Sequence, residues 1–190
     1  MCGLAGELNF EAGRSGADWA LISDLMARRR PHDGLWHSRN GKCTLVFRRL
    51  SILDLSESGH QPMISADGRY TLVFNGEVYN FRELRRQLEA QGRRFRSTGD
   101  AEVVMLALAE WGKGAVNKFN GLFALAFYDT VEHRLLIARD HAGIKIVKCE
   151  LSDHCIQCAL IEFRFRKCLL YNSRYDRIRF YVVFIIVSCS

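Results

Sequence analysis

The chain has 190 residues, 48% of them hydrophobic, which suits one domain with a buried core and at most a short appendage. Its formal charge of +6 is uneven: residues 144–190 hold eight Lys/Arg against four Asp/Glu. The body before them is nearly neutral, which argues against a nucleic-acid-binding surface.

The sequence opens Met1-Cys2-Gly3-Leu4. Once Met1 is removed, Cys2 carries a thiol and a free α-amine, a nucleophile and a base on one residue. The opening CGLAGELNF is too short for a signal peptide and lacks its basic segment, so the expected compartment is the cytoplasm. A reducing cytosol keeps such a thiol free. Leu4 to Phe10 reads as a strand bounded by glycines. Trp19, Leu21, Ile22, Leu25 and Met26 sit at helical spacing and predict an amphipathic helix over residues 17–29. Arg28-Arg29-Arg30 closes it before Pro31, and residues 31–41 read as loop.

Cys43 to Phe47 is a second strand, with Cys43 as a packed small residue. Residues 48–63, RRLSILDLSESGHQPM, run from a short apolar stretch into a polar loop. Tyr70 to Phe74 is a third strand, ending in a polar turn, Asn75-Gly76-Glu77. Asn80 and Glu83 have the spacing of a capping box ahead of a helix whose apolar face is Phe81, Leu84 and Leu88. Ser97-Thr98-Gly99-Asp100 precedes a second helix with the stripe Val103, Val104, Ala107, Leu108 and Trp111. Leu122 to Tyr128 and Arg134 to Ala138 are strands joined by a turn near Asp129. Strands interleaved with helices indicate an α+β or layered α/β class.

All glycines and prolines lie at or before Gly143, while five of the seven cysteines lie after it. Cys155 and Cys158 form an isolated C-x-x-C without the second pair a zinc site wants. The run Phe180 to Val187 is too short to span a bilayer.

Several residues have chemistry in reserve. The Asn75 amide and the Gly76 N–H suit one oxyanion, although an Asn-Gly pair is also an ordinary turn. Arg49 suits a carboxylate fork or a surface ion pair. Asp100 suits a helix cap or a ligand ammonium.

Six separated blocks now stand in order: CGLAG at 2–6, RRLSILDLSESGHQPM at 48–63, NGEVYN at 75–80, STGDAEV at 97–103, FNGLFALAFYD at 119–129 and ARDHAGIK at 138–145. Over residues 2–145 the chain resembles the glutamine amidotransferase domain of the N-terminal-nucleophile type, in its asparagine synthetase branch. The resemblance implies a four-layer αββα sandwich of that hydrolase type. It implies Cys2 as the nucleophile, with Asn75 and Gly76 as the oxyanion hole. Arg49 with Leu50, Ser51, Ile52 and Leu53 matches the segment that holds the glutamine α-carboxylate. Asn75, Gly76, Glu77 and Asp100 complete the glutamine site. Arg30-Pro31-His32-Asp33-Gly34 departs from the family's Arg-Gly-Pro-Asp-like turn.

After Lys145 the resemblance stops. Residues 146–190 read as a divergent or frameshifted tail with no assigned domain. The family's synthetase domain, with its pyrophosphate-binding Ser-Gly-Gly loop, is missing from this sequence. ATP and magnesium belong to that domain, so no cofactor is expected in this chain, and no metal. The expected function is a glutaminase half-reaction, releasing ammonia from L-glutamine through a Cys2 thioester. A separate synthetase chain or a homodimer is the expected partner, and neither nucleic acid nor membrane is. The alternative is a non-catalytic, pseudogene-like fragment or binding module, suggested by the apolar tail.

Overall fold

Successive residues of a strand face opposite sides of its sheet, and in this chain both sides are buried at nearly every long strand. The computed structural model describes residues 3–10, 17–27, 34–48, 60–145, 147–151, 155–160 and 185–188. The elements are β1 (Gly3–Asn9), α1 (Trp19–Ala27), β2 (Leu35–His37), β3 (Cys43–Arg48), β4 (Met63–Ile64) and β5 (Tyr70–Val78). There follow α2 (Phe81–Ala90), α3 (Asp100–Trp111), a 3-10 segment (Gly112–Lys118), β6 (Gly121–Asp129) and β7 (Arg134–Arg139). The last strands are β8 (Val147–Leu151), β9 (Cys155–Leu160) and β10 (Ile185–Ser188). One sheet has the order β2-β3-β1-β9-β8 and the other β10-β7-β6-β5-β4. Every pairing is antiparallel.

Parity assigns the layers. Leu4 and Leu8 of β1, with Cys43, Leu45 and Phe47 of β3, meet Val73, Ala124, Ala126, Tyr128, Leu135 and Ile137 of the second sheet. The alternate residues Ala5 and Val46 face outward onto Trp19, Ile22 and Met26 of α1. On the far side, Leu72, Phe74, Phe123, Leu125 and Phe127 pack against Leu84 and Leu88 of α2 and Val103, Val104, Ala107 and Leu108 of α3. The result is an α+β fold of two antiparallel sheets between helices. Leu88 is fully buried, so truncating it to alanine costs about 2–5 kcal/mol.

Several elements differ from the sequence expectation, each for a physical reason. In α1 only Trp19, Ser23 and the half-buried Ile22 and Met26 face the sheet, while Leu21 and Leu25 are more than half exposed. Arg48 sets that rotation: its Nη2 donates to Ser23 Oγ at 2.7 Å and its Nε to the Ser23 carbonyl at 3.1 Å. Asn80 starts α2 but makes no side-chain cap. Its amide instead donates to the Lys118 carbonyl at 2.9 Å and accepts from Asn120 N at 2.9 Å, tying α2 to the entry of β6. Asn75-Gly76-Glu77 is not a turn, because β5 runs through it to Val78 in register with β6. The two- and three-residue strands β4 and β2 are too short to show a period.

Three strands come from beyond Lys145. β9 pairs with β1, β8 with β9, and β10 with β7. The sequence gives these residues no turn chemistry, yet their β-branched and apolar residues suit them to extend existing sheet edges. Glu7, buried on the α1 side, accepts from Trp19 Nε1 at 3.0 Å and from Gln157 Nε2 at 2.9 Å, which joins β9 to the first strand by side chains as well. Among the described residues no helix is long and apolar enough to cross a membrane.

Candidate functional site

The C-terminal half of β5 carries Asn75, Gly76 and Glu77. Asn75 is buried, and Glu77, two residues on and so on the same face of the strand, is exposed near its end. Gly76 has φ +152°, and a Cβ there would overlap the Leu122 carbonyl oxygen and the Phe123 backbone of β6. Only glycine allows so close an approach. Gly121 is its counterpart, since a Cβ there would overlap the Glu77 carbonyl oxygen.

Asp100 comes to the same strand end from α3. It lies in the helix's first turn, after the N-cap Gly99. Its Oδ2 accepts from the Val78 N–H at 3.0 Å. Burial pushes the Asp100 carboxyl above its ordinary pKa; amides of Val78 and the helix start pull it down, and Glu77's charge adds to the upward push. Among the described residues no cation pairs with either carboxylate. The preceding loop is held by Glu102, whose buried carboxylate accepts from Arg96 N at 3.0 Å, Ser97 N at 2.7 Å and Ser97 Oγ at 2.8 Å. Glu102 lies within the apolar stripe of α3, so its role has no period or spacing to reveal it.

Cys2, Arg49, Leu50, Ser51, Ile52 and Leu53 lie outside the described residues. Their covalent neighbours do not: Gly3 and Arg48 are register partners across β1 and β3. A hydrogen-bonded route leads from there to Asn75. Phe47 is paired with Leu4, and its N–H donates to the Gly34 carbonyl at 3.0 Å. Gly34 N donates to the Gln61 carbonyl at 3.3 Å. The Gln61 side chain then donates to the Phe74 carbonyl at 2.9 Å and accepts from Phe74 N at 2.6 Å. The strand ends beside Cys2, Arg49 and Asn75 are thus tied at one end of the sandwich. Sequence reasoning assigned Gln61 no part in this.

At the other end lies a cavity of about 490 Å³ between β2 and the β6–β7 turn. Its walls include Trp36, Thr71, Tyr128 and His133. Asn40 Nδ2 approaches His133 Nδ1 at 3.2 Å, and Trp36 meets Tyr128 edge-on with ring centroids 5.9 Å apart. Among the described residues no group of three or more His, Cys, Asp or Glu is placed to hold a metal ion. Cys43 and Cys155 are not disulfide-bonded, whereas Cys149 is.

Chemically, the end near Asn75 offers a buried amide beside a glycine backbone for an anionic oxygen, and two carboxylates that meet no cation among the described residues. A polar substrate with an ammonium and a polarisable carbonyl fits that set.

A family model described as a glutamine amidotransferase domain matches residues 1–158. A Mycobacterium tuberculosis protein, provisionally named as a glutamine-hydrolysing asparagine synthetase, is 40% identical over 161 residues, covering 76% of this chain and 24% of its own length. Asparagine synthetase [glutamine-hydrolyzing] 2 of Bacillus subtilis is 38% identical over 149 residues, covering 76% and 19%. The chain thus spans about a quarter or less of the length of the curated relatives it matches. In three dimensions it resembles the glutamine phosphoribosylpyrophosphate amidotransferase of B. subtilis, with a TM-score of 0.63, 17% identity, and coverage of 83% of this chain and 41% of that one. That likeness concerns the fold, and it matches the N-terminal-nucleophile hydrolase architecture expected from the sequence.

Proposed function

Because the chain belongs to the glutamine amidotransferase domain family, we propose that it hydrolyses the side-chain amide of L-glutamine with Cys2 as the nucleophile. The α-amine of Cys2, freed by removal of Met1, takes the thiol proton. The sulfur attacks the amide carbonyl, and the tetrahedral oxyanion is held by the Asn75 amide and the Gly76 N–H. One such donor is worth roughly 3–4 kcal/mol in the transition state. Ammonia leaves carrying the transferred proton, and water cleaves the thioester to glutamate and the free thiol. Arg49 and the Leu50, Ser51, Ile52 and Leu53 backbone hold the α-carboxylate. Glu77 and Asp100 hold the ammonium.

The observation that carries this reading is the convergence at one end of the sandwich. The Gly3–Arg48 pair, one residue from Cys2 and from Arg49, is linked through Phe47, Gly34 and Gln61 to the strand bearing Asn75, where Asp100 also arrives. We place the catalytic unit in residues 2–145, with β8 and β9 extending its first sheet and no catalytic role for residues 146–190. The ammonia goes to a synthetase activity outside this sequence, on a longer chain, a separate chain or a homodimer. The compartment is the cytoplasm. The purified protein is expected to release glutamate and ammonia from glutamine in equal amounts. Its activity should require loss of Met1, as read by intact mass on the same sample. Absence of glutamate release from protein with Cys2 at its terminus would remove the reading.

A further inference from the structure

Gln61 occupies an unusual position. Met63 and Ile64 of β4 pair with Leu72 and Thr71 of β5, and continuing that register places residue 61 opposite Phe74. The Gln61 backbone does not take that place; its carbonyl accepts from Gly34 N at 3.3 Å. Its side-chain amide fills the ladder position instead, donating to the Phe74 carbonyl at 2.9 Å and accepting from Phe74 N at 2.6 Å. Gln61 is 6% exposed, and the next residue along β5 is Asn75. One residue therefore bonds Gly34, the residue before β2 that also accepts from Phe47 of the first sheet, through its backbone and the second sheet through its side chain.

We infer that Gln61 is a positioning residue for glutamine hydrolysis: it sets the distance between the strand that leads to Cys2 and the strand that carries Asn75 and Gly76. The inference rests on the glutaminase reading above. An amide suits the task because it presents one donor and one acceptor in a plane, as a strand backbone does. β4 stops short of Phe74, so without the Gln61 side chain the Phe74 N–H and carbonyl lose their partners on that side. Buried backbone groups do not tolerate that, and the strand would shift to satisfy them. A shift there moves Asn75 and Gly76 away from the reacting carbonyl, while Arg49 and Asp100, on other segments, still bind substrate. The effect belongs in kcat more than in KM.

Gln61→Glu separates positioning from mere folding. A protonated carboxyl donates and accepts like the amide, whereas a carboxylate cannot donate to the Phe74 carbonyl and repels it. Burial raises the pKa of the new carboxyl, so its titration falls in a measurable range. The expected result is a kcat ratio of variant to wild type that falls about 30-fold or more between about pH 5 and about pH 8, with KM changed less than about threefold. A ratio independent of pH, or a loss confined to KM, overturns the inference. Gln61→Met keeps the volume and removes both bonds. In that variant the Phe74 and Asn75 amides should exchange at least about tenfold faster, while those of Thr71 and Leu72 keep wild-type protection. Unchanged exchange at Phe74 overturns the inference whether or not either variant turns over glutamine. A wild-type protein without turnover sinks the glutaminase reading instead, and exchange then decides whether Gln61 holds the strand.

Discussion

β5 has a carboxylate at each end, and the two are treated in opposite ways. At its start, Asp129 faces Tyr70 across the ladder and is met by Arg69, whose Nη2 donates at 2.8 Å and Nε at 3.1 Å. Val131 N and Glu132 N also donate to Asp129, at 2.8 and 3.0 Å. Burial pushes this carboxyl up, but Arg69 and the turn amides outweigh it and hold the pKa below the usual aspartate value. At the strand's other end Asp100 meets a single non-helical amide, Val78 N, and stands near the like charge of Glu77, with its pKa raised. A carboxylate whose bonding is complete closes a turn. One left short of positive charge retains capacity for a ligand cation. Under the proposed function, the difference between the ends is one of ligand binding against construction, and it can be tested.

The largest effect should come from Cys2→Ala, which removes the proposed nucleophile. Glutamine turnover should fall by about 10⁴-fold or more, with the melting temperature nearly unchanged. Residual turnover within tenfold of wild type would detach this end from catalysis. Next comes Gly76→Ala. The added methyl meets the Leu122 carbonyl at a φ that side chains rarely adopt, and the cost should be about 3 kcal/mol in urea unfolding.

Asp100→Asn should raise the KM for glutamine by about 10- to 100-fold, the worth of a charged hydrogen bond. In the wild type, KM should rise as pH falls through the raised Asp100 pKa, above the ordinary aspartate value, because only the carboxylate attracts an ammonium. Folding alone follows the opposite sign. A carboxyl with a raised native pKa favours the folded state most below its unfolded pKa, and that contribution is lost as pH rises through the native value. Without glutamine, Asp100→Asn should thus melt higher than wild type at neutral pH. A variant that melts lower would mean that Asp100 belongs to the construction.

The smallest effect on turnover should come from Asp129→Asn, which should leave kcat and KM unchanged while costing about 1–3 kcal/mol of stability at neutral pH. Asp129's native pKa is depressed. Its contribution is present above the unfolded pKa and fades as pH falls through the native one, so wild type and variant should converge in acid.

Much of this was legible in the chain itself. The strand and helix residues that fall in the cores are the ones whose period is clean: Leu84 and Leu88, Val103 to Leu108, and Phe123, Leu125 and Phe127 against Ala124, Ala126 and Tyr128. Asn75, Gly76, Glu77 and Asp100 were read as site residues, and the structure brings them to one strand end. What escaped were residues whose role depends on a distant partner. Arg48 turns α1 through Ser23, so the exposed Leu21 and Leu25 looked buried. Asn80 has the spacing of a cap but spends its amide on Lys118 and Asn120. Gln61 looks like one more polar loop residue until Phe74 is placed beside it. Local spacing carries no trace of such pairings.

Two glycines set diagonally across the ladder, Gly76 opposite Phe123 and Gly121 opposite Val78, have a consequence for how this sequence can drift. A side chain at either position meets a carbonyl beside its opposite number: Leu122 for Gly76, Glu77 for Gly121. Relief at one site does nothing for the other, because each clash is with main chain that no neighbouring substitution can shorten. No pair of changes at the two sites is therefore mutually compensating, and saturation mutagenesis should find alanine destabilising at each site whatever residue stands at the other. A purely local requirement for positive φ would close Gly76 alone. The close approach of the strands instead closes a second position, Gly121, besides Gly76 of the proposed oxyanion site.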